Sequence, residues 1–138
     1  MSVEVVERNT EVARALVDAF HKLKRMDVEV PERLRVVFGL PRFHACGFYS
    51  WQRGEVTVGT FTPECNPIFV LLHEVRHHQQ YLEGGGEVFK REVGKPWTKR
   101  SHEVDANYWA RENLKLLAEE LRRVSRWMER GGLEVEAR

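Results

Sequence analysis

The run His73-Glu74-Val75-Arg76-His77 constrains this chain more than any other feature. It is an H-E-x-x-H pattern, and the residues before it place it on a helix. Asn66 followed by Pro67 marks a helix start: an Asn side chain caps free backbone N–H groups, and proline in the first turn lacks the N–H that would go unbonded there. The apolar run Ile68-Phe69-Val70-Leu71-Leu72 leads into the motif, and Gly84-Gly85-Gly86 ends the helix, which is therefore expected over about residues 67–82. On such a helix His73 and His77 lie one turn apart on a shared face. Two imidazoles placed this way can bind one Zn²⁺, and Glu74 beside them can reach a water on the metal. The alternative is a pair of ordinary helix histidines with Glu74 on a solvated face. The apolar approach favours the metal, because two histidines on a buried face need polar partners or an ion.

Catalytic zinc takes three protein ligands and leaves a position for water. The last long helix supplies the third. It is expected over about residues 101–130, with Ser101 as N-cap and Gly131-Gly132 as the stop. Its apolar stripe runs through Ala110, Leu114, Leu117, Leu121, Val124 and Met128 at spacings of three and four. Extending that stripe backwards reaches Asn107 and then Glu103, so both face the core. A carboxylate aimed at a core needs a cation or a donor, and a metal on His73 and His77 would satisfy Glu103. Asn107, one turn on, is placed to bond the outer nitrogen of a ligand imidazole and fix its tautomer. The alternative for Glu103 is a first-turn acid that complements the helix dipole. His102 and Asp105 flank Glu103 off the inward stripe. His78 is turned towards the rim, Cys65 precedes the motif helix, and His44 with Cys46 share one side of a strand. As further metal ligands, all of these are set aside in favour of a structural reading.

The remainder predicts an α+β domain. Val12, Leu16, Ala19, Phe20 and Leu23 recur at helical spacing, giving an N-terminal helix over about residues 9–25. Its basic residues Lys22, Lys24 and Arg25 read as a solvated face. A sheet is expected over about residues 33–61. Leu34 to Phe38 is one strand, and Gly47 to Trp51 pairs with Glu55 to Gly59 across the turn Gln52-Arg53-Gly54. The second strand of that hairpin precedes the motif helix and is placed as a sheet edge over a cleft. Its free backbone could pair with an extended peptide, and Gly59 would admit a close approach; the alternative, of equal weight, is a plain packed strand. Glu87 to Val93 reads as a short helix broken by Gly94-Lys95-Pro96.

Composition excludes several classes. The 138 residues suit one domain, 1–138, with a modest core; 42% are hydrophobic and 31% charged. A net charge of +1 gives no bulk case for nucleic acid or an anionic membrane, although Arg122, Arg123, Arg126 and Arg130 line one end of the last helix. No stretch is long enough to span a bilayer, and Met1 to Glu7 lacks the pattern of a signal peptide. Cys46 and Cys65 do not amount to a disulfide framework. A cytoplasmic protein is the expectation. Arg and Glu carry the charge while Asn and Gln are scarce, a lean towards heat adaptation.

Taken together, His73-Glu74-Val75-Arg76-His77 and Glu103-Val104-Asp105-Ala106-Asn107-Tyr108-Trp109-Ala110 resemble the gluzincin metallopeptidases. The second half of that family's pattern is E-x-x-A-[DN]-x-x-A, and Glu103, Ala106, Asn107 and Ala110 match it. The Asn form is similar to peptidases of the ImmA/IrrE type, though no accompanying DNA-binding module is found. The short length resembles the minigluzincins, which are little more than a catalytic domain. The resemblance spans roughly residues 55–110. It implies His73, His77 and Glu103 as zinc ligands and Glu74 as general base. It also implies a zincin-like fold, a small twisted sheet packed on the two motif helices with the cleft between sheet edge and metal. Minigluzincins occur in latent, self-inhibited or self-associated forms, so a homo-oligomer and a tail from Gly131 that reaches a cleft are further expectations.

A peptide or protein substrate follows from this reading, with hydrolysis by an activated water. The oxyanion needs a donor besides the metal, and Tyr81, Tyr108 and His102 are the candidates. Two other classes stand against the peptidase: a non-catalytic zinc-binding regulatory or interaction module, and a metallohydrolase acting on a non-peptide amide.

Overall fold

The structure is a computed structural model that describes residues 2–5, 11–37, 46–60 and 65–129. Four strands form one mixed sheet: β1 (Ser2–Val5), β2 (Arg33–Val37), β3 (Gly47–Ser50) and β4 (Glu55–Gly59). The order across it is β1-β2-β4-β3. β1 and β2 run parallel, as do β2 and β4, while β3 pairs antiparallel with β4. The parallel β1–β2 pair needs a crossover connection, and α1 (Glu11–Arg25) supplies it. The expected β3–β4 hairpin is present, with Gly47 opposite Val58 and Ser50 opposite Glu55. Gly54 in its turn has φ +60, which glycine adopts without steric cost.

Helices α1 and α2 (Pro67–Gly84) enclose a core with the sheet. Val12, Leu16, Ala19, Phe20 and Leu23 of α1 are buried, as their spacing requires. They meet Leu34 and Val36 of β2, Val56 and Val58 of β4, and Ile68, Leu71, Leu72 and Val75 of α2. Burying one such side chain contributes roughly 1.5–3 kcal/mol. α1 stops in a Schellman arrangement: Val28 N–H donates to Leu23 O and Asp27 N–H to Lys24 O, with Asp27 left-handed at φ 61. No described helix is long and apolar enough to cross a membrane.

Several sequence expectations need correction. Strand β4 is not the edge; β3 is, and β4 lies inside between β2 and β3. An alternating strand does not reveal whether its backbone is paired on one side or both. Gly59 is correspondingly engaged, its N–H donating to Cys46 O at 3.0 Å. The close approach occurs at Gly47, where a Cβ would stand 2.6 Å from Val70 Cγ1 and 2.7 Å from Thr57 O. β1 was not foreseen at all. The last helix is two: α3 (Ser101–Asn113), a 3-10 turn over Leu114–Leu117, then α4 (Ala118–Glu129). The stripe keeps its phase through the break, since Ala110, Leu117 and Val124 are fully buried. The side chain of Met128 and the whole tail from Arg130 lie outside the described residues. Ser101 is not the N-cap of α3; it is the first helical residue, and its N–H donates to Glu92 Oε1 at 3.2 Å.

Cys46 and Cys65, given no pairing by the sequence, are joined in a disulfide across Cα atoms 6.3 Å apart. It ties the start of the edge strand to the residue before the Asn66 cap. Cysteine usage therefore no longer favours a reducing compartment. Lys22 is not simply solvated but pairs at 3.0 Å with the buried Glu120 of α4, and Arg123 pairs at 2.7 Å with Asp18 of α1.

Candidate metal centre

Helix α2 presents the motif as expected. Asn66 Oδ1 accepts from the N–H groups of Ile68 and Phe69, fixing where the helix begins. Gly85, at φ 70, closes the far end with its N–H on Tyr81 O. Apolar residues bury the first half of the helix, so the motif faces the second ligand-bearing helix instead of solvent. Helix α3 lies against it and carries Glu103 inwards.

The Glu103 carboxylate bridges the two histidines. Its Oε1 is 2.9 Å from His73 Nε2, and its Oε2 is 3.0 Å from His77 Nε2. The two imidazoles stand edge to face, 4.7 Å between centroids. Among the described residues, His73, His77 and Glu103 form the one group of His, Cys, Asp or Glu able to hold a metal ion, with donor atoms all within 4.8 Å of each other. Two imidazole nitrogens and one carboxylate are a donor set of catalytic zinc. Bonds of about 2.0–2.2 Å in a tetrahedron put donors roughly 3.3–3.5 Å apart, which lies between the 2.9 and 3.0 Å N···O contacts and the 4.8 Å that bounds the set, so small side-chain shifts would bring the three donors onto one ion. The residues present thus fit such an ion.

Charge is arranged to match. Burial works against ionisation of Glu103, but hydrogen bonds from His73 and His77, with their charges, hold it down at about 2. Burial likewise disfavours the charged form of His77; the hydrogen bond to Glu103, the nearby Glu74 charge and the bond to Gln80 overcome it and raise His77 above its ordinary value. Glu74 is raised, first by burial and then by Glu103, against the lowering influence of His77 and His73. Burial thus gives Glu74 a greater proton affinity than an exposed carboxylate has. Gly47 of the edge strand sits over it, its missing Cβ only 3.7 Å from Glu74 Cγ.

The other sequence candidates fall unevenly. Asn107 is half-buried and makes no described hydrogen bond to either imidazole. The partner on the outer nitrogen of His77 is Gln80, Oε1 to Nδ1 at 2.7 Å. Gln80 was missed, although it stands one turn beyond His77. Asp105, read as structural, accepts from Gln80 Nε2 at 2.8 Å and from Arg76 Nε at 2.7 Å. His102 is buried, with Nε2 3.5 Å from Glu103 Oε2. It lies off the stripe yet is covered, because Phe89 and Trp97 from the segment before α3 pack on its ring at 5.3 and 6.2 Å. Burial lowers its pKa, with Glu103 opposing. Tyr81 stacks on Trp51 at 6.4 Å, and Tyr108 is 61% exposed. His78 does turn aside from the motif, bonding Tyr49 Oη at 2.8 Å. Cys65 is committed to its disulfide. His44 lies outside the described residues.

The expected short helix over Glu87 to Val93 is a 3-10 turn, Gly86–Phe89, followed by further turns and a second 3-10 turn at Trp97–Lys99. Phe89 from this segment also stands edge-on to His77 at 5.6 Å, so it is a wall of the site. Gly86 permits that: a Cβ there would meet the Trp51 indole at 3.1 Å. No family model, curated protein or solved structure matches this chain.

Proposed function

We propose that this chain is a zinc-dependent peptidase of gluzincin type, with a zincin-like arrangement of edge strand, motif helix and ligand helix. The observation that carries the reading is the convergence of His73, His77 and Glu103 from two helices around one point, with buried Glu74 beside them. His73 Nε2, His77 Nε2 and one Glu103 oxygen would hold Zn²⁺. When bound, the ion supplies Lewis acidity that polarises the scissile carbonyl and makes a water acidic. Glu74 takes a proton from the attacking water and returns it to the leaving amine; its raised proton affinity suits both halves of that task. His102 supports the oxyanion role better than Tyr81 or Tyr108, since its ring contacts the ligand carboxylate and burial favours its neutral form. The edge strand β3 runs beside Glu74 and is the natural place for an extended peptide to pair. The substrate is therefore a peptide or an unfolded protein segment.

Glu74→Gln tests the reading. It should keep zinc and lose peptide hydrolysis by at least about 100-fold, the usual contribution of a positioned general base. Zinc retained with hydrolysis unchanged would refute the assigned role. The enclosure of His77 by Phe89 keeps a second reading in view, a zinc-binding interaction module without turnover. Zinc bound by a protein that cleaves no member of a broad peptide library would favour it. Cleavage of non-peptide amides, assayed beside the peptide library, with no library peptide cut would instead favour the amidohydrolase reading.

A further inference from the structure

We propose that Gln80 is a positioning residue, locked by Asp105 and Arg76 so that His77 keeps its proton on Nδ1 and offers Nε2 to the metal. The inference rests on the metal-site reading above and adds the device that orients one ligand.

Each link follows from what the groups can donate or accept. Arg76 is a donor only; its Nε donates to Asp105 Oδ2 at 2.7 Å, and its Nη1 to Gln79 Oε1 at 2.8 Å. Asp105, paired with this guanidinium, is an acceptor only. The Gln80 amide nitrogen donates to Asp105 Oδ2 at 2.8 Å and to the His102 carbonyl at 2.9 Å. Both partners accept and neither donates, so the two hydrogens of the amide are used and its orientation is determined. Gln80 Oε1 must then face His77 Nδ1, 2.7 Å away. A carbonyl oxygen only accepts, so Nδ1 carries a hydrogen. The lone pair left for a metal is on Nε2, the atom 3.0 Å from Glu103. Turning the amide over would set two NH groups against each other, or two lone pairs, in a site where His77 is 6% and Gln80 8% exposed. Buried unsatisfied groups of that kind are costly.

The chain of contacts also joins the two ligand-bearing helices. Arg76 and Gln80 are on α2, while Asp105 and the His102 carbonyl are on α3. The relay therefore sets the register between the helix that holds the histidines and the helix that holds Glu103. Arg76 stays in place by lying over Trp109, 6.0 Å from its ring.

The test uses the full chain, labelled with ¹⁵N in its imidazoles, with and without added Zn²⁺, as wild type, Gln80→Leu and Asp105→Asn. In the wild type the His77 Nδ1–H should exchange slowly with water in both states, and Nε2 should be the nitrogen on zinc. Gln80→Leu should lose that protection and bind zinc about 10–100-fold more weakly. Asp105→Asn keeps the shape but lets Arg76 claim the Asn carbonyl, turning an NH₂ towards Gln80. It should reduce both the protection and the affinity, and it serves if Gln80→Leu fails to fold. Ligation through Nδ1 in the wild type overturns the proposal. So does a folded Gln80→Leu with protection and zinc affinity unchanged. A wild type that takes up no zinc but keeps a protected His77 Nδ1–H supports the relay and refutes the metal reading.

Discussion

Replacing Gly47 by Ala should loosen the edge strand where it crosses the motif helix. The new Cβ would stand 2.6 Å from Val70 Cγ1 and 2.7 Å from Thr57 O. Ordinary carbon contacts are about 3.5–4.0 Å, so each overlap is close to an ångström. Neither neighbour yields easily. Val70 is β-branched on a helix, where one rotamer dominates. Thr57 O belongs to the backbone of β4, held on both sides by β2 and β3. Overpacking of this kind costs roughly 1–3 kcal/mol. With an unfolding entropy near 2.1 cal/mol/K per residue, a chain of this length loses about 3–10 °C in Tm. Gly94→Ala is the control, since nothing lies within 4 Å of a Cβ there. Thermal melts followed by circular dichroism compare the two. Gly47→Ala melting within a degree of the wild type would refute the packing of β3 on α2, and with it the placement of the edge strand beside Glu74.

Three further outcomes are expected. Reducing the Cys46–Cys65 bond, or Cys46→Ser, reopens a loop of sequence separation 19 and should cost ~3 kcal/mol, about 10 °C in Tm; a melt unchanged by reductant would contradict it. In the metal-free protein, His77 is raised above 6.5 and Glu103 lowered to about 2, so their pair stabilises most between the ordinary Glu and His values. That stability is lost as pH rises through the raised His77 value and, at the other end, as pH falls towards 2. A metal must displace the His77 proton, so zinc titrations should show tighter binding at pH about 8 than at about 6, with proton uptake by the buffer; equal affinity would contradict the pairing.

The motif helix was legible because its signals are local: Asn66 and Pro67 at one end, three glycines at the other, and apolar residues between. Glu103 was legible because a helical stripe can be extended by counting. The sheet order was not. Val56 and Val58 alternate as an edge strand would, but Thr57 and Gly59 are also buried, and period-two patterning says nothing about which backbone edges are paired. Ser2–Val5 is short and mostly exposed, and its strand character comes only from pairing with β2. The Cys46–Cys65 bond depends on a tertiary approach that spacing does not reveal. Gln80, Asp105 and Arg76 look in sequence like solvated helix residues; only the docking of α3 on α2 makes them one network. The burial of His102 was not legible for a related reason, as cover from Phe89 and Trp97 is not encoded in the helix period.

The central claim is that His73, His77 and Glu103 bind one zinc ion together, and bound zinc per chain tests it most directly. Measured by elemental analysis on the native protein and on Glu103→Ala, the account predicts one zinc per chain in the first and loss or strong weakening in the second. No zinc in the native protein after adding metal, or equal zinc in both, would contradict it.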